Sequence, residues 1–174
     1  MKGFHELDPS ERPKGEVIQH DPPVNERSLA RRISLQILYE VDSAGHPPGS
    51  VTAIHLQARD VPRKAARYVR QLVSGVVEHR AALDRAIQRY APEWPIEQMA
   101  IVDRNVLRLA ILEFAVFQST PVSVAIDEAV QLAKLFGAES SPGFVNGVLG
   151  ALSEDEALIA ALRAPRAKGE ETSE

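Results

Sequence analysis

The opening helical stretch places two side chain types where they could do chemistry. Arg31, Leu35 and Tyr39 follow one another at i, i+4 and i+8, with Arg32 beside Arg31. Guanidinium groups on an exposed helix face bind phosphate, and an outward tyrosine offers an amphipathic contact to a partner. The same pattern also fits a plain packing face, in which Leu35 and Tyr39 lie under a neighbouring helix and the arginines are solvated. From this helix alone both readings stand.

Other chemistry finds little support. The chain has no cysteine, which removes disulfides, zinc thiolates, iron–sulfur clusters and cysteine nucleophiles. The five histidines (His5, His20, His46, His55 and His79) have no i, i+3 or i, i+4 partner of metal-ligand type, so no metal is expected. Gly143 and Gly147 flank Phe144-Val145-Asn146 at a helix start rather than after a strand, which is not a phosphate loop. No Gly-x-Ser-x-Gly elbow exists. The carboxylates Asp127-Glu128 and Glu154-Asp155-Glu156 sit where helices begin, a placement the helix macrodipole explains. The expectation is a protein that is not an enzyme and carries no cofactor.

Charge is unevenly distributed along the 174 residues. Residues 26–90 hold eleven Lys and Arg against six Asp and Glu, whereas residues 91–163 hold four against ten, within a net charge of -4. Such asymmetry suits two unlike partners, one anionic and one cationic, although chance segregation of solvated charge would look the same. Hydrophobic residues at 44% and charged residues at 25% are values of a globular domain able to bury a core. No signal peptide or membrane span is read, and a cytoplasmic protein is expected.

The elements that would position these groups are all helical. Apart from proline-bearing ends, nearly every stretch shows helical periodicity, and no run of alternating β-branched residues occurs. The expectation is an all-α fold of seven to eight helices. Residues 1–24, with Pro9, Pro13, Pro22 and Pro23, read as a flexible N-terminal arm, 25–163 as the helical domain, and 164–174 as a flexible tail. Asn25 precedes a helix that stops near Gly45, and a minor helix is expected around 50–58. Asp60 to Pro62 start a stretch through about Tyr90, with a break allowed at Ser74-Gly75 or His79. Ile96 to about Phe117 reads as one helix. Thr120-Pro121 opens the next, which stops at Gly137; Pro142 opens one ending near Leu152; and Ser153 caps the last. In the first helix Leu29, Ala30, Ile33, Ile37, Leu38 and Val41 form the face that must be buried.

Three blocks together resemble the transcription antitermination factor NusB family. They are Ala30-Arg31-Arg32 through Gln36-Ile37-Leu38-Tyr39; Val102-Asp103-Arg104-Asn105-Val106-Leu107-Arg108-Leu109-Ala110 with Glu113; and Pro121 through Val124-Ala125-Ile126-Asp127-Glu128-Ala129-Val130 and Leu132-Ala133-Lys134 to Phe136-Gly137, then Phe144-Val145-Asn146-Gly147-Val148-Leu149. The third is the most specific, because its order runs unbroken for about thirty residues. The resemblance spans roughly residues 27–152.

It implies two small helical bundles without catalytic activity, binding boxA RNA of ribosomal RNA operon leaders together with the small-subunit ribosomal protein NusE. It further implies entry into the RNA polymerase antitermination complex and suppression of premature, Rho-dependent termination. By position, Arg27 and Arg31, with Arg32 as neighbour, match the family's RNA-binding segment. Phe144 matches an aromatic beside that surface, although a core role fits it equally. Tyr39, Glu97 and Asp103 match the protein-partner side, while Arg104 and Arg108 read as structural, paired with Glu113 or with helix ends. Two alternatives remain at this stage: an RNA-recruiting helical domain like those of ribosomal RNA methyltransferases, and a purely structural interaction module.

Overall fold

The computed structural model describes residues 25–164. The expected N-terminal arm, and the expected tail apart from Ala164, lie outside the described residues. Within them the architecture is all-α: α1 (Glu26–Ala44), α2 (Pro48–Gln57), α3 (Arg63–Tyr90), a 3-10 turn (Ile96–Gln98), α4 (Ile101–Ile111) running on into a π turn (Leu112–Phe117), α5 (Val122–Phe136), α6 (Ser141–Ser153) and α7 (Glu156–Arg163).

Local chemistry sets the ends of these helices. The Asn25 side chain accepts from the Ser28 backbone N–H at 2.8 Å, capping α1. Gly45, at φ 69°, ends it with an N–H donated to the Val41 carbonyl. Asp155 caps α7 by accepting from the Leu158 N–H at 3.0 Å, so the cap lies two residues beyond the expected Ser153.

The helices pack as two bundles that share α4. α1, α2 and α3 form one, while α4 to α7 form the other, and α4 also packs against α1 and α3. Val106, Leu107, Leu109, Ala110, Ile111 and Leu112 are all buried, as are the polar Asn105 and Arg108, so this segment is enclosed by neighbours nearly all round. α1 and α3 run parallel, since Arg27 meets Tyr68 near their starts and Asp42 meets Arg80 further along. Among the described residues no helix is long and apolar enough to cross a membrane.

Two expected features differ. α3 is unbroken through Ser74, Gly75 and His79. The stretch read as one helix from Ile96 to Phe117 is three pieces, interrupted at Met99 and Ala100 and widened into a π turn after Ile111.

Candidate nucleic-acid interface

The first turn of α1 presents Arg27 to solvent and holds it in place. Its Nη1 donates to the Ser119 carbonyl at 3.0 Å, and its guanidinium carbon lies 4.9 Å from the centre of the Tyr68 ring. That is cation–π distance, and the ring steers a cation whose remaining N–H groups can meet an anion.

Arg31, one turn on, does something else. It is 3% exposed, and its Nε donates to both Glu113 carboxylate oxygens at 3.0 Å. Its Nη2 donates to Thr120 Oγ1 at 3.4 Å, and Nη1 lies 3.5 Å from Glu128. Ser28 Oγ donates to Glu128 at 2.9 Å, and the Tyr68 hydroxyl donates to Glu113. Burial disfavours the charged guanidinium, but the Glu113 hydrogen bonds and charge outweigh it and raise the Arg31 pKa. Burial and the Glu113 charge likewise push the Tyr68 hydroxyl up.

The structure therefore corrects the outward placement of Arg31 and Leu35. Leu35 is 2% exposed, and of that row only Tyr39, at 46%, faces solvent. α1 is packed against α3, α4 and α2, and Glu113 from the π turn and Glu128 from α5 reach its Arg31 side, so the helix is enclosed on more than one face. Arg32 is half-buried and has no carboxylate partner among the described residues.

Phe144 stands in the first turn of α6, half-buried against the core. It lines an open hollow of about 420 Å³ with Tyr90, Trp94, Gly143 and Gly147. Trp94 is exposed, so the hollow has aromatic walls accessible to a planar ligand. Arg27 lies over Tyr68, and this hollow lies by Tyr90. The two are toward opposite ends of α3, whose positions 68 and 90 are about 33 Å apart along the axis. A single ligand touching both must span about that distance.

The three positions matched to a protein partner gather at the other end of α1. Asp42, its side chain 6% exposed, accepts from Arg104 Nε and Nη2 at 2.7 and 2.8 Å, from Asn105 at 3.0 Å and from Arg108 at 3.1 Å. Arg108 also donates to both Asp84 oxygens, at 2.6 and 3.0 Å. Although burial alone would raise it, these donors hold the Asp42 carboxyl down at about 2. Tyr39 is one turn before Asp42, Asp103 adjoins Arg104, and the Glu97 carbonyl accepts from Arg104 at 3.3 Å. Glu97 is exposed; Asp103 is half-buried, with Oδ1 buried and unpartnered among the described residues. Arg104 and Arg108 are structural as expected, but they bind Asp42 and Asp84 rather than Glu113, which belongs to Arg31. Asp42 was missed by sequence reasoning. Its spacing from Leu35 and Leu38, i+7 and i+4, carried the signal of a carboxylate on a buried stripe.

Residues 28–154 match the sequence profile of the NusB family. The chain belongs to that family. It is 45% identical over 126 residues to a transcription antitermination protein NusB of Roseiflexus castenholzii, covering 71% of this chain and 89% of that protein. It is 44% identical over 128 residues to one from Dehalococcoides mccartyi, covering 74% and 90%. The fold is similar to that of Thermotoga maritima NusB, with a TM-score of 0.68, 30% identity and coverage of 80% and 93%. It is also similar to a chain in a crystal structure of antitermination factors NusB and NusE in complex with double-stranded RNA, with a TM-score of 0.69, 28% identity and coverage of 74% and 96%. Within the NusB family match fall Arg31, Arg32, Tyr39, Glu97, Asp103 and Phe144, whereas Arg27 lies one residue before its start.

Proposed function

We propose that this chain is a transcription antitermination factor without enzymatic activity. It binds the boxA element of ribosomal RNA operon leaders together with ribosomal protein NusE. The pair acts in the cytoplasm within the RNA polymerase antitermination complex and suppresses premature, Rho-dependent termination. The observation that carries the reading is the likeness to a chain in a structure of NusB and NusE in complex with double-stranded RNA. The site geometry supports it: Arg27 is exposed and steered at the start of α1, with Arg32 further along the same helix, and Phe144 borders an aromatic hollow. Tyr39, Glu97 and Asp103 form the proposed NusE side, in the acidic half of the chain apart from Tyr39, which suits a basic ribosomal protein. In this scheme Arg31 acts through position, by pinning the helix that carries Arg27.

Filter binding with boxA RNA and a scrambled RNA of equal length, each with and without NusE, tests the reading. The expected result is tighter retention of boxA RNA than of the scrambled RNA when NusE is present. Equal retention of both RNAs under all conditions would remove it.

A further inference from the structure

The outward side of α3 carries cations that these contacts leave unused. At about 100° per residue, Arg63, Arg67 and Arg70 fall within about 60° of one another, with Lys64 at the edge of that face. All four are exposed. Among the described residues none of them has an ion-pair partner, in contrast to Arg31, Arg104 and Arg108, each matched to a buried carboxylate. The nearest carboxylates along the chain are Asp60, in the loop before the helix, and Glu78, two turns beyond Arg70.

Their position is unfavourable for the fold alone. The first turn of α3 holds no acidic residue, and Pro62 at its cap offers no side chain acceptor. The cations therefore add to the positive end of the helix macrodipole instead of offsetting it. A surface that concentrates positive potential in this way attracts an anion. The patch approaches Arg27 at its Lys64 edge, while Arg63, Arg67 and Arg70 lie about 100° to 160° round α3 from Tyr68. The Arg27 guanidinium lies over Tyr68, and Lys64 is one turn before Tyr68 on the same helix.

We infer that this face of α3 is a second phosphate-binding strip, over which the backbone of single-stranded RNA continues from Arg27. The inference rests on the RNA-binding reading above and adds where the strand runs. Arg63, Arg67 and Arg70 climb the helix in steps of about 6 and about 4.5 Å, so their long side chains can grip successive phosphates. No aromatic side chain stands on that face between residues 63 and 74, so the strip contributes affinity without reading bases. A basic ribosomal protein is repelled here by like charge.

The test measures binding of boxA RNA and scrambled RNA to the full chain with NusE across a salt series. Compared with wild type are the combined variant Arg63→Gln, Arg67→Gln, Arg70→Gln; the variant Arg27→Ala; and Arg85→Gln, an exposed arginine more than four turns beyond Arg70. Three lost phosphate contacts should flatten the slope of log K against log salt by about 2, since each contact on a single strand contributes about 0.7. Between 50 and 200 mM salt the combined variant should then lose about 20-fold less affinity than wild type. It should bind both RNAs more weakly by the same factor, and Arg85→Gln should match wild type. If the combined variant keeps the wild-type slope while Arg27→Ala weakens binding, the strip is overturned and the RNA reading stands; an acidic protein surface would then be the occupant. Weakening confined to boxA RNA also overturns the strip, because it would indicate base reading. If wild-type protein with NusE binds neither RNA, both inferences fall.

Discussion

Two arginines four residues apart behave oppositely because one is solvated and the other is enclosed. Removing Arg31 strands the Glu113 carboxylate in a dry setting, and breaking a buried pair from one side costs about 3–5 kcal/mol. Arg31→Ala should therefore lower the urea midpoint sharply. Arg27→Ala should leave it nearly unchanged while weakening RNA binding by roughly 1 kcal/mol. Equal stabilities of the two variants would contradict this division. Their shared spacing in the first helix cannot separate them, since the difference comes from Glu113 and Glu128, which are 82 and 97 residues beyond Arg31 in the chain. Asp42 supplies a pH prediction. Its folded pKa of about 2 is below the ordinary 3.8, so its stabilising effect is complete above pH 4 and lost as pH falls through 2. That shift corresponds to about 2 kcal/mol. Urea unfolding from pH 5 down to pH 2 should show a shallower acid limb for Asp42→Asn than for wild type, together with lower stability at neutral pH. Parallel limbs would mean that other carboxylates govern acid unfolding.

At the scale of the element, helix ends were legible and helix interiors less so. Asn25, Gly45 and Pro121 act on their own neighbours, through a capping bond, a left-handed φ and a missing N–H in turn, so position along the chain suffices to read them. The π turn is different. It continues a helix in which apolar and polar residues alike are buried, and where burial no longer follows the helical period a widened turn leaves no mark in the pattern. Its counterpart is Gly75, read from sequence as a possible break in α3. α3 is continuous there, and the glycine instead makes room: an added Cβ would lie 2.6 Å from a Phe117 carbon and 2.8 Å from one of Leu112. Phe117 is partly exposed and can swing aside, but Leu112 is fully enclosed. Gly75→Ala should gain up to about 1 kcal/mol of helix propensity and lose about 1–3 kcal/mol to overpacking. The expected net is a loss near 1 kcal/mol, measured by urea unfolding. A stabilised variant would show that the π turn yields easily.

For the whole molecule, the charge asymmetry in the sequence has a spatial counterpart in α1. Its first turn carries the proposed RNA contact, and its last turns adjoin the proposed partner positions, about 22 Å away from Arg27 to Asp42 along a nineteen-residue helix. Both ends are fixed to α4 and the π turn by buried ion pairs, Arg31 to Glu113 and Asp42 to Arg104. A rod pinned at both ends is a poor candidate for coupling by internal rearrangement. If RNA and NusE nevertheless favour each other, the coupling must come from RNA that touches both proteins. Linkage then requires each ligand to raise the affinity of the other by the same factor, and a coupling of about 1 to 3 kcal/mol is expected. An RNA titration at fixed salt across a NusE series measures it, with binding of RNA by NusE alone determined separately. Shortening the RNA supplies the deciding comparison. Direct bridging predicts that coupling disappears once the strand is too short to reach from the Arg27 end to NusE. Coupling that persisted with a short strand held only at Arg27 would place the communication inside the helix bundle, against the rigidity of the two ion-paired anchors.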